Sequence, residues 1–186
     1  MSGSPPADER LEALAVAKTI AAGTDDILVP EDLVAESDES PPQPAELEKA
    51  LWSRIRSMTV SQKVKLALTG NKEVRGILLR DSNRMIPRLV LQNPRITEEE
   101  VLMLARDRNS DEEVLRQIAE AREWTRVYGV RAALVENART PLAKAVSLLQ
   151  TLDERELTRL AKSKHVPNAI AVQSRRLLFQ ALQRRR

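Results

Sequence analysis

Apolar side chains recur every three or four residues along most of the chain, and polar side chains occupy the positions between them. In the first clear example, Leu47, Leu51, Ile55 and Met58 would lie on one face of a helix over residues 45–58. The same spacing, interrupted by polar turns, predicts helices at 60–68, 72–80, 84–91, 98–106, 111–121, 126–136, 141–151, 154–162 and 168–183. We therefore expect an all-α fold built from short helices.

Most of these helices begin with residues that can bond to unpaired backbone N–H groups. A Ser, Thr or Asp followed three residues later by Glu or Gln can form a capping box, in which each side chain satisfies one N–H. Four such pairs occur within about 100 residues, namely Thr59 with Gln62, Thr97 with Glu100, Ser110 with Glu113 and Asp153 with Glu156. Asn71 can cap another helix, and Pro141 is expected at a first helical position, where no N–H is required.

Parts of the helical region echo one another. The stretches 64–79, 101–119 and 157–178 share a helix that ends in Leu-Ala, a polar turn and a second apolar helix. Two further stretches, 85–105 and 128–149, also resemble each other, with residues of one matching residues of the other. The Leu-Ala steps are Leu66-Ala67, Leu104-Ala105 and Leu160-Ala161, and the matches are Leu91, Asn93 and Ile96 with Val135, Asn137 and Thr140. Paired short helices, each too small to bury its apolar face alone, are typical of an α-solenoid.

The phrases LARDRNSDEEVLRQIA, ALVENARTPLAKAVSLL and LAKSKHVPNAIAVQSRRLL resemble HEAT-like and leucine-rich-variant helical repeats. The resemblance covers residues 59–180, about two-thirds of the chain. It implies a short-helix, right-handed α-solenoid over 45–186, in a bacterial family that is built on this module and has no assigned function. The chain departs from the leucine-rich-variant pattern in its unequal repeat lengths and in lacking a cysteine cluster.

The first 44 residues have a different character. Residues 8–22 can form a short helix that ends at Gly23, a suitable C-cap. The apolar stretch 27–34 is interrupted by Pro30, and it could be a docking peptide for a partner or a loose strap on the protein's own surface. Residues 35–44 are acidic and proline-rich, which is typical of a linker. We therefore expect residues 1–44 to be an acidic, mostly flexible segment in front of the helical domain at 45–186.

Charge divides the chain in a similar way. Residues 1–50 carry three basic and twelve acidic side chains, for a net charge of −9, whereas residues 51–186 have a net charge of +12. An acidic segment beside a basic body can act as a solubilising tail. Alternatively, it can contact the basic body within the same molecule and compete with an anionic ligand.

Catalytic chemistry finds little support in the sequence. The chain has no cysteine and one histidine, His165, which excludes cysteine catalysis and disfavours a zinc site. No phosphate-binding glycine loop occurs, and the acidic runs 98–100 and 111–113 lie in first helical turns, where they complement the helix dipole. We expect a protein that is not an enzyme and that needs no metal or cofactor. It has neither a secretory signal nor a membrane-length apolar run, so we expect it to be cytoplasmic, without membrane insertion.

Binding is the better expectation, because arginine is abundant. If the second helices of the pairs stack on one side, Arg75, Arg116 and Arg131 would form a ridge. Trp124 and Tyr128, beside Arg126, belong to the residue types enriched in binding hot spots. The candidate partner-binding residues are therefore Arg75, Arg116, Trp124, Arg126, Tyr128 and Arg131. They could equally be solvated or buried side chains of a helical scaffold, as an i,i+4 pair of Glu112 with Arg116 would be.

The C-terminal segment is basic and contains no acid. Its candidate phosphate contacts are Arg175, Arg176, Arg184, Arg185 and Arg186. The sequence as a whole favours a non-catalytic interaction module or scaffold that binds a protein partner through the solenoid surface. The alternative is a nucleic-acid-associated protein that uses the basic helical face and the arginine-rich C-terminus.

Overall fold

The computed structural model describes residues 7–35 and 45–184, and these residues are helical with no strand. They divide into two compact units, an N-terminal unit (Met1–Ile96) and a C-terminal unit (Thr97–Arg186). The expected all-α class is confirmed for the part of the chain that is described. None of the described helices is both long and apolar enough to cross a membrane.

The N-terminal unit contains five α-helices and one turn of 3-10 helix. They are α1 (Ala7–Ala21), the 3-10 turn (Glu31–Leu33), α2 (Ala45–Arg56), α3 (Val60–Thr69), α4 (Lys72–Leu78) and α5 (Met85–Val90). Helix α3 lies at the centre of this unit and contacts α1, α4 and α5. Its side chains Val64, Leu66 and Ala67 are completely buried.

The C-terminal unit contains seven α-helices. They are α6 (Glu98–Arg106), α7 (Glu112–Glu120), α8 (Arg122–Thr125), α9 (Tyr128–Glu136), α10 (Leu142–Leu149), α11 (Glu154–Lys162) and α12 (Asn168–Arg184). Helix α9 contacts α6, α7, α8 and α10, and α12 contacts α10 and α11. The apolar core at this end of the chain includes Val135, Leu149, Leu160 and Ile170, all of them fully buried.

The predicted helices agree with the observed α-helices to within two residues at their ends, except that α8 was not predicted: residues 122–125 lay between the predicted helices 111–121 and 126–136. The predicted caps are confirmed at Thr59 and Thr97, which form reciprocal capping boxes, and at Asn71. The prediction for Ser110 is wrong, because α7 is capped by Asp111. Ser110 is instead buried, and its hydroxyl donates to the Leu104 carbonyl at 2.7 Å.

Two further start signals differ in detail. Asp153 accepts from the Glu156 N–H at 2.8 Å, but the side chain of Glu156 bonds to Arg159 and does not complete a box. Pro141 is the N-cap of α10, so it precedes the first helical residue. Gly23 ends the N-terminal helix with a φ of 67°, a conformation that glycine adopts without strain, as expected.

Helix ends in both units are held by a buried asparagine. In the N-terminal unit, Asn93 donates from Nδ2 to the carbonyls of Ala67 and Gly70, at 3.0 and 3.3 Å. In the C-terminal unit, Asn137 donates from Nδ2 to the carbonyls of Ala105 and Asp107, both at 2.9 Å. Each asparagine thus bonds to the end of an earlier helix, and its Oδ1 accepts the N–H two residues further along the chain.

The segment between α1 and the 3-10 turn is attached to its own unit. We call residues 24–35 the N-terminal strap. Leu33 of the strap is 2% exposed, and its carbonyl accepts the Asn71 N–H at 2.9 Å. Asp25 pairs with Lys65 at 2.5 Å. Residues 24–35 therefore lie on the surface of their own unit, held by polar bonds and one buried leucine, as the strap alternative expected. Of the predicted linker at 35–44, residues 36–44 lie outside the described residues.

The first prediction concerns the buried asparagines. Asn137→Ala should lower the free energy of unfolding by about 2 kcal/mol, because two carbonyls at the end of α6 lose their donor in a buried position. Asn109→Ala is the matched control, since Asn109 is exposed and its side chain makes no hydrogen bond in the described residues; its effect should stay within about 0.5 kcal/mol. Urea denaturation of the two variants measures this, and equal effects would contradict the assignment.

The second prediction concerns pH. The hydrogen bond from Lys65 holds the pKa of Asp25 below its usual value of about 3.9. The lowered pKa means that Asp25 stabilises the folded chain above the unfolded pKa and that this contribution is lost as the pH falls through the folded pKa. Asp25→Asn should therefore be less stable than the wild type at pH 6. The difference should shrink below about pH 4, as thermal unfolding across pH 3–7 would measure, and a constant difference would contradict the pairing.

Candidate functional site

Four of the predicted partner-binding residues lie at the corner between α8 and α9. Trp124 is half-buried on α8, and Arg126 is exposed in the connection. Tyr128 is the first residue of α9 and is 39% exposed. Arg131, one turn later, folds back so that its guanidinium carbon lies 5.3 Å from the centre of the Tyr128 ring. The structure thus brings these residues together on the C-terminal unit.

Arg131 braces this corner. Its Nη1 donates to the carbonyls of Thr125 and Arg126, at 2.6 and 3.1 Å. These carbonyls belong to the end of α8, which is too short to satisfy them within the helix. Arg126, in contrast, makes no side-chain hydrogen bond or ion pair within residues 7–35 and 45–184. Arg131 is therefore a structural residue, and Arg126 is the arginine of this corner that remains available to a ligand.

Arg75 is not a surface residue, which corrects the prediction that it contacts a partner. It is 1% exposed in the N-terminal unit, and its Nη1 donates to the Gly70 carbonyl at 3.2 Å. Glycine is required at position 70 for a separate reason, because a Cβ there would lie 2.4 Å from the Leu66 carbonyl oxygen. Amphipathic spacing gave no sign of this burial, because arginine is one of the residues least often buried.

Arg116 lies on the surface of α7 and pairs with acids of its own helix. Its guanidinium is 3.5 Å from the Glu112 carboxylate and 3.2 Å from that of Glu113. Such exposed pairs contribute little to stability, so they do not prevent a ligand from replacing the acids. The i,i+4 pairing anticipated from the sequence is present.

The predicted phosphate contacts at the C-terminus divide into three kinds. Arg175 is engaged at the end of α11, where its Nε and Nη2 donate to the Ala161 carbonyl at 3.1 and 2.9 Å. Arg176 and Arg184 are exposed on α12. Arg185 and Arg186 lie outside the described residues. One of these five candidates is therefore committed to the fold.

A groove of about 540 Å³ opens beside Tyr128, and we call it the α9 groove. Its walls are the end of α6, one face of α9, and α11 with the turn that follows it. The lining residues are Arg106, Arg108, Tyr128, Gly129, Ala132, Ala133, Glu136, Asn137, Glu156, Arg159, Ser163, His165 and Val166. The small side chains of Gly129, Ala132 and Ala133 leave the space open, because larger residues on this face of α9 would fill it.

Charges are unevenly compensated around the α9 groove. Arg159 bonds to both Glu136 and Glu156, so one cation is shared by two acids. Arg106 and Arg108 are exposed and make no side-chain hydrogen bond or ion pair in the described part of the chain. The groove therefore combines a closed ion-pair network on one wall with two uncompensated arginines on the other.

Burial and charge also change two pKa values in the groove. Burial, reinforced by the nearby Asp153 carboxylate, raises the pKa of Glu156. Burial likewise raises the pKa of Tyr128, whose hydroxyl lies 3.5 Å from the Asp153 nitrogen. Both shifts favour the protonated forms, and the Tyr128 hydroxyl is a neighbour of Asp153 at the edge of the groove.

The arrangement suits an anionic ligand with some apolar surface. Two arginine forks can bind carboxylates or phosphates in two places at once, and Tyr128 adds an aromatic face with a hydroxyl. His165 is exposed at the rim, as expected for a turn residue. Within the described residues, no cluster of three His, Asp or Glu side chains could hold a metal ion.

The sequence did not single out the groove residues on α6 and α11. Arg106 and Arg108 stood among many arginines, and Glu136, Glu156 and Arg159 had the appearance of ordinary surface charges. One usable signal was the Arg-Asp-Arg triplet at 106–108, directly after an apolar helix. No protein-family model, curated protein or solved structure matches this chain, so the functional assignment depends on its own geometry.

The third prediction separates the two arginines of the α8–α9 corner. Arg131→Ala should lower the free energy of unfolding by about 1–2 kcal/mol, because two carbonyls lose a donor. Arg126→Ala removes an exposed side chain of the same type and should change it by less than about 0.5 kcal/mol. Denaturant unfolding, followed by circular dichroism, compares them. Equal stability of the two variants would show that Arg131 does not brace the corner.

Proposed function

We propose that the protein is a non-catalytic interaction module whose α9 groove binds an acidic, extended segment of a partner protein. The observation that carries this proposal is the pair Arg106 and Arg108, exposed at the rim of a groove without a compensating acid in the described residues. Uncompensated cations beside a concave surface favour an anionic ligand. Tyr128, on the facing wall, supplies the type of side chain that dominates many protein interfaces.

Binding fits the groove better than catalysis does. The acids that could transfer protons there, Glu136 and Glu156, are both bonded to Arg159. A general acid or base must reach the substrate, whereas these carboxylates are held against the wall by their shared cation. Their arrangement is that of an ion-pair network that links α9 with α11.

A peptide fits better than a nucleic acid for a related reason. Glu136 and Glu156 lie in the same groove as Arg106 and Arg108, and they would repel successive phosphates of a nucleic-acid backbone. A peptide can place uncharged residues between its acidic ones, so its carboxylates can reach the arginines while other side chains contact Tyr128 and Ala132. The nucleic-acid alternative would instead depend on exposed arginines of α12, such as Arg176 and Arg184.

In this proposal the helices belong to a HEAT-like, right-handed α-solenoid that acts as a scaffold. The support is a recurrent bond at each Leu-Ala step. The carbonyls of Ala67, Ala105 and Ala161 each accept a side-chain donor from a later element, from Asn93, Asn137 and Arg175 respectively. If the helix pairs are repeats of one structural unit, the same side-chain bond is expected at equivalent positions in each of them.

The fourth prediction tests the groove with peptides selected by display on the full chain. We expect the selected peptides to contain at least two acidic residues next to an apolar one. Their affinity should fall about tenfold or more in the variant Arg106→Glu with Arg108→Glu, because two attractions become repulsions. Fluorescence anisotropy of labelled peptides measures the change.

Arg155→Glu is the matched control, because Arg155 is an exposed arginine of α11 outside the groove. It should leave the affinity within about twofold. A labelled 25-base-pair DNA duplex is titrated in parallel at low and moderate salt. Tight, salt-sensitive duplex binding that survives the Arg106 and Arg108 substitutions, with no peptide selected, would replace the proposal by the nucleic-acid alternative.

A further inference from the structure

The N-terminal strap is bound to its own unit mainly through its backbone. Side chains of the unit donate to the carbonyls of Ile27, Leu28 and Val34, from Lys65 at 2.6 Å, Gln62 at 3.3 Å and Arg95 at 2.9 Å. Asn71 alone bonds to three more, since its Nδ2 donates to the Asp32 and Ala35 carbonyls and its backbone N–H donates to that of Leu33. Six carbonyls of one short segment, four of them in the 3-10 turn and the two residues after it, are thus recognised by polar groups from α3, the N-cap of α4 and the turn after α5.

Three strap side chains supply specific anchors. Asp25 pairs with Lys65, and Asp32 forms a two-pronged contact with Arg54, at 2.8 and 3.4 Å. Leu33, whose carbonyl accepts the Asn71 N–H, buries its side chain. In contrast, Leu28 is 86% exposed, so the strap places only some of its apolar side chains against the unit. Recognition of the backbone, combined with a few side-chain anchors, is a common way for proteins to bind short peptide segments.

The attachment of this part of the chain is shallow. Among the described residues from 7 to 35, only Ala13 and Leu33 are buried hydrophobic side chains. The remaining contacts are hydrogen bonds, ion pairs and half-buried apolar side chains such as Ile27 and Val34, and each of these contributes less to stability than a fully buried apolar side chain does. Segments with few buried apolar contacts open at a small fraction of the cost of global unfolding. The strap can therefore leave while the helices beneath it stay folded.

From these observations we infer that the surface beneath the strap is a second peptide-binding site and that the strap is its internal occupant. The ligand is a segment of a partner protein that has the chemistry of residues 25–35 and can form the same turn of 3-10 helix. It carries an aspartate for Lys65, a second aspartate for Arg54 and a leucine for the site of Leu33. This site lies within the N-terminal unit and is independent of the α9 groove. Because the strap already occupies this site, a partner segment must displace the strap in order to bind.

The test uses full-length chains and a labelled peptide with capped ends, TDDILVPEDLVA, which reproduces residues 24–35. The wild type should bind it weakly, because an attached competitor acts at a local concentration near the millimolar range. A strap-weakened chain with Asp25→Asn, Asp32→Asn and Leu33→Ala should bind the peptide about tenfold more tightly or better. A chain with only the two aspartate substitutions, which remove no apolar side chain, serves if Leu33→Ala disturbs folding, and it should show the same direction.

Two control variants localise the binding. Adding Lys65→Met and Arg95→Ala to the strap-weakened chain should reduce the affinity about tenfold, because donors to the peptide backbone are lost. Adding Lys72→Met and Arg56→Ala, which change exposed cations of the same unit, should not. A peptide with aspartate in place of Leu33 should bind at least about tenfold more weakly.

The inference is overturned if the strap-weakened chain, still folded by circular dichroism, binds the peptide no more tightly than the wild type. It is equally overturned if Arg106→Glu with Arg108→Glu abolishes peptide binding, because the acidic peptide would then occupy the α9 groove. Failure of the α9 groove to select peptides leaves these expectations unchanged, so the two proposals fail separately.

Discussion

The structure depends on how short helices satisfy the carbonyl groups at their C-terminal ends. Each α-helix leaves four carbonyls without a partner in the helix, which is a large fraction in helices of nine or ten residues. Helices α3, α6, α7, α9 and α11 end in an extended residue, not in a left-handed one. A left-handed cap would have satisfied the last carbonyls locally. Donors must therefore come from elsewhere in the unit.

The donors that satisfy these carbonyls also determine which helices pack together. Asn93 and Asn137 each link the end of one helix to the turn after a later one, and Arg175 links α12 to the end of α11. A bond of this kind requires the donor and the carbonyl to lie within about 3 Å, so it restricts the register of two helices more tightly than apolar contact does. Ser110 makes a similar bond between residues close in sequence, because its hydroxyl donates to the Leu104 carbonyl near the end of α6.

The arginines fall into two groups, those exposed on the surface and those bonded to main-chain carbonyls. Only the surface group could be anticipated from the sequence. The helices and most of their caps followed from apolar spacing and from Ser, Thr, Asp and Asn at helix starts, because both signals are local. The burial of Arg75 and the bracing role of Arg131 depend on carbonyls left open by neighbouring helix ends. Ser110 was misassigned for the same reason. Asp111 is the N-cap of α7, and the Ser110 hydroxyl bonds to the buried carbonyl of Leu104. The α9 groove escaped prediction because its walls come from three helices that are distant in sequence.

Function follows from the same constraint. Arg75 is buried, and Arg175 already donates from Nε and Nη2 to a main-chain carbonyl, so neither presents its whole fork to a ligand. Arg106 and Arg108 lie at the end of α6, where Ser110 and Asn137 donate to the carbonyls of Leu104, Ala105 and Asp107, and the two guanidinium groups make no such bond among the described residues. The strap is the complementary case, in which side-chain donors bind carbonyls of the strap in place of those at a helix end. Both proposed sites thus arise where this chain has more donors than its own helix ends require, and ligands rich in carbonyl and carboxylate oxygens are what such surfaces favour.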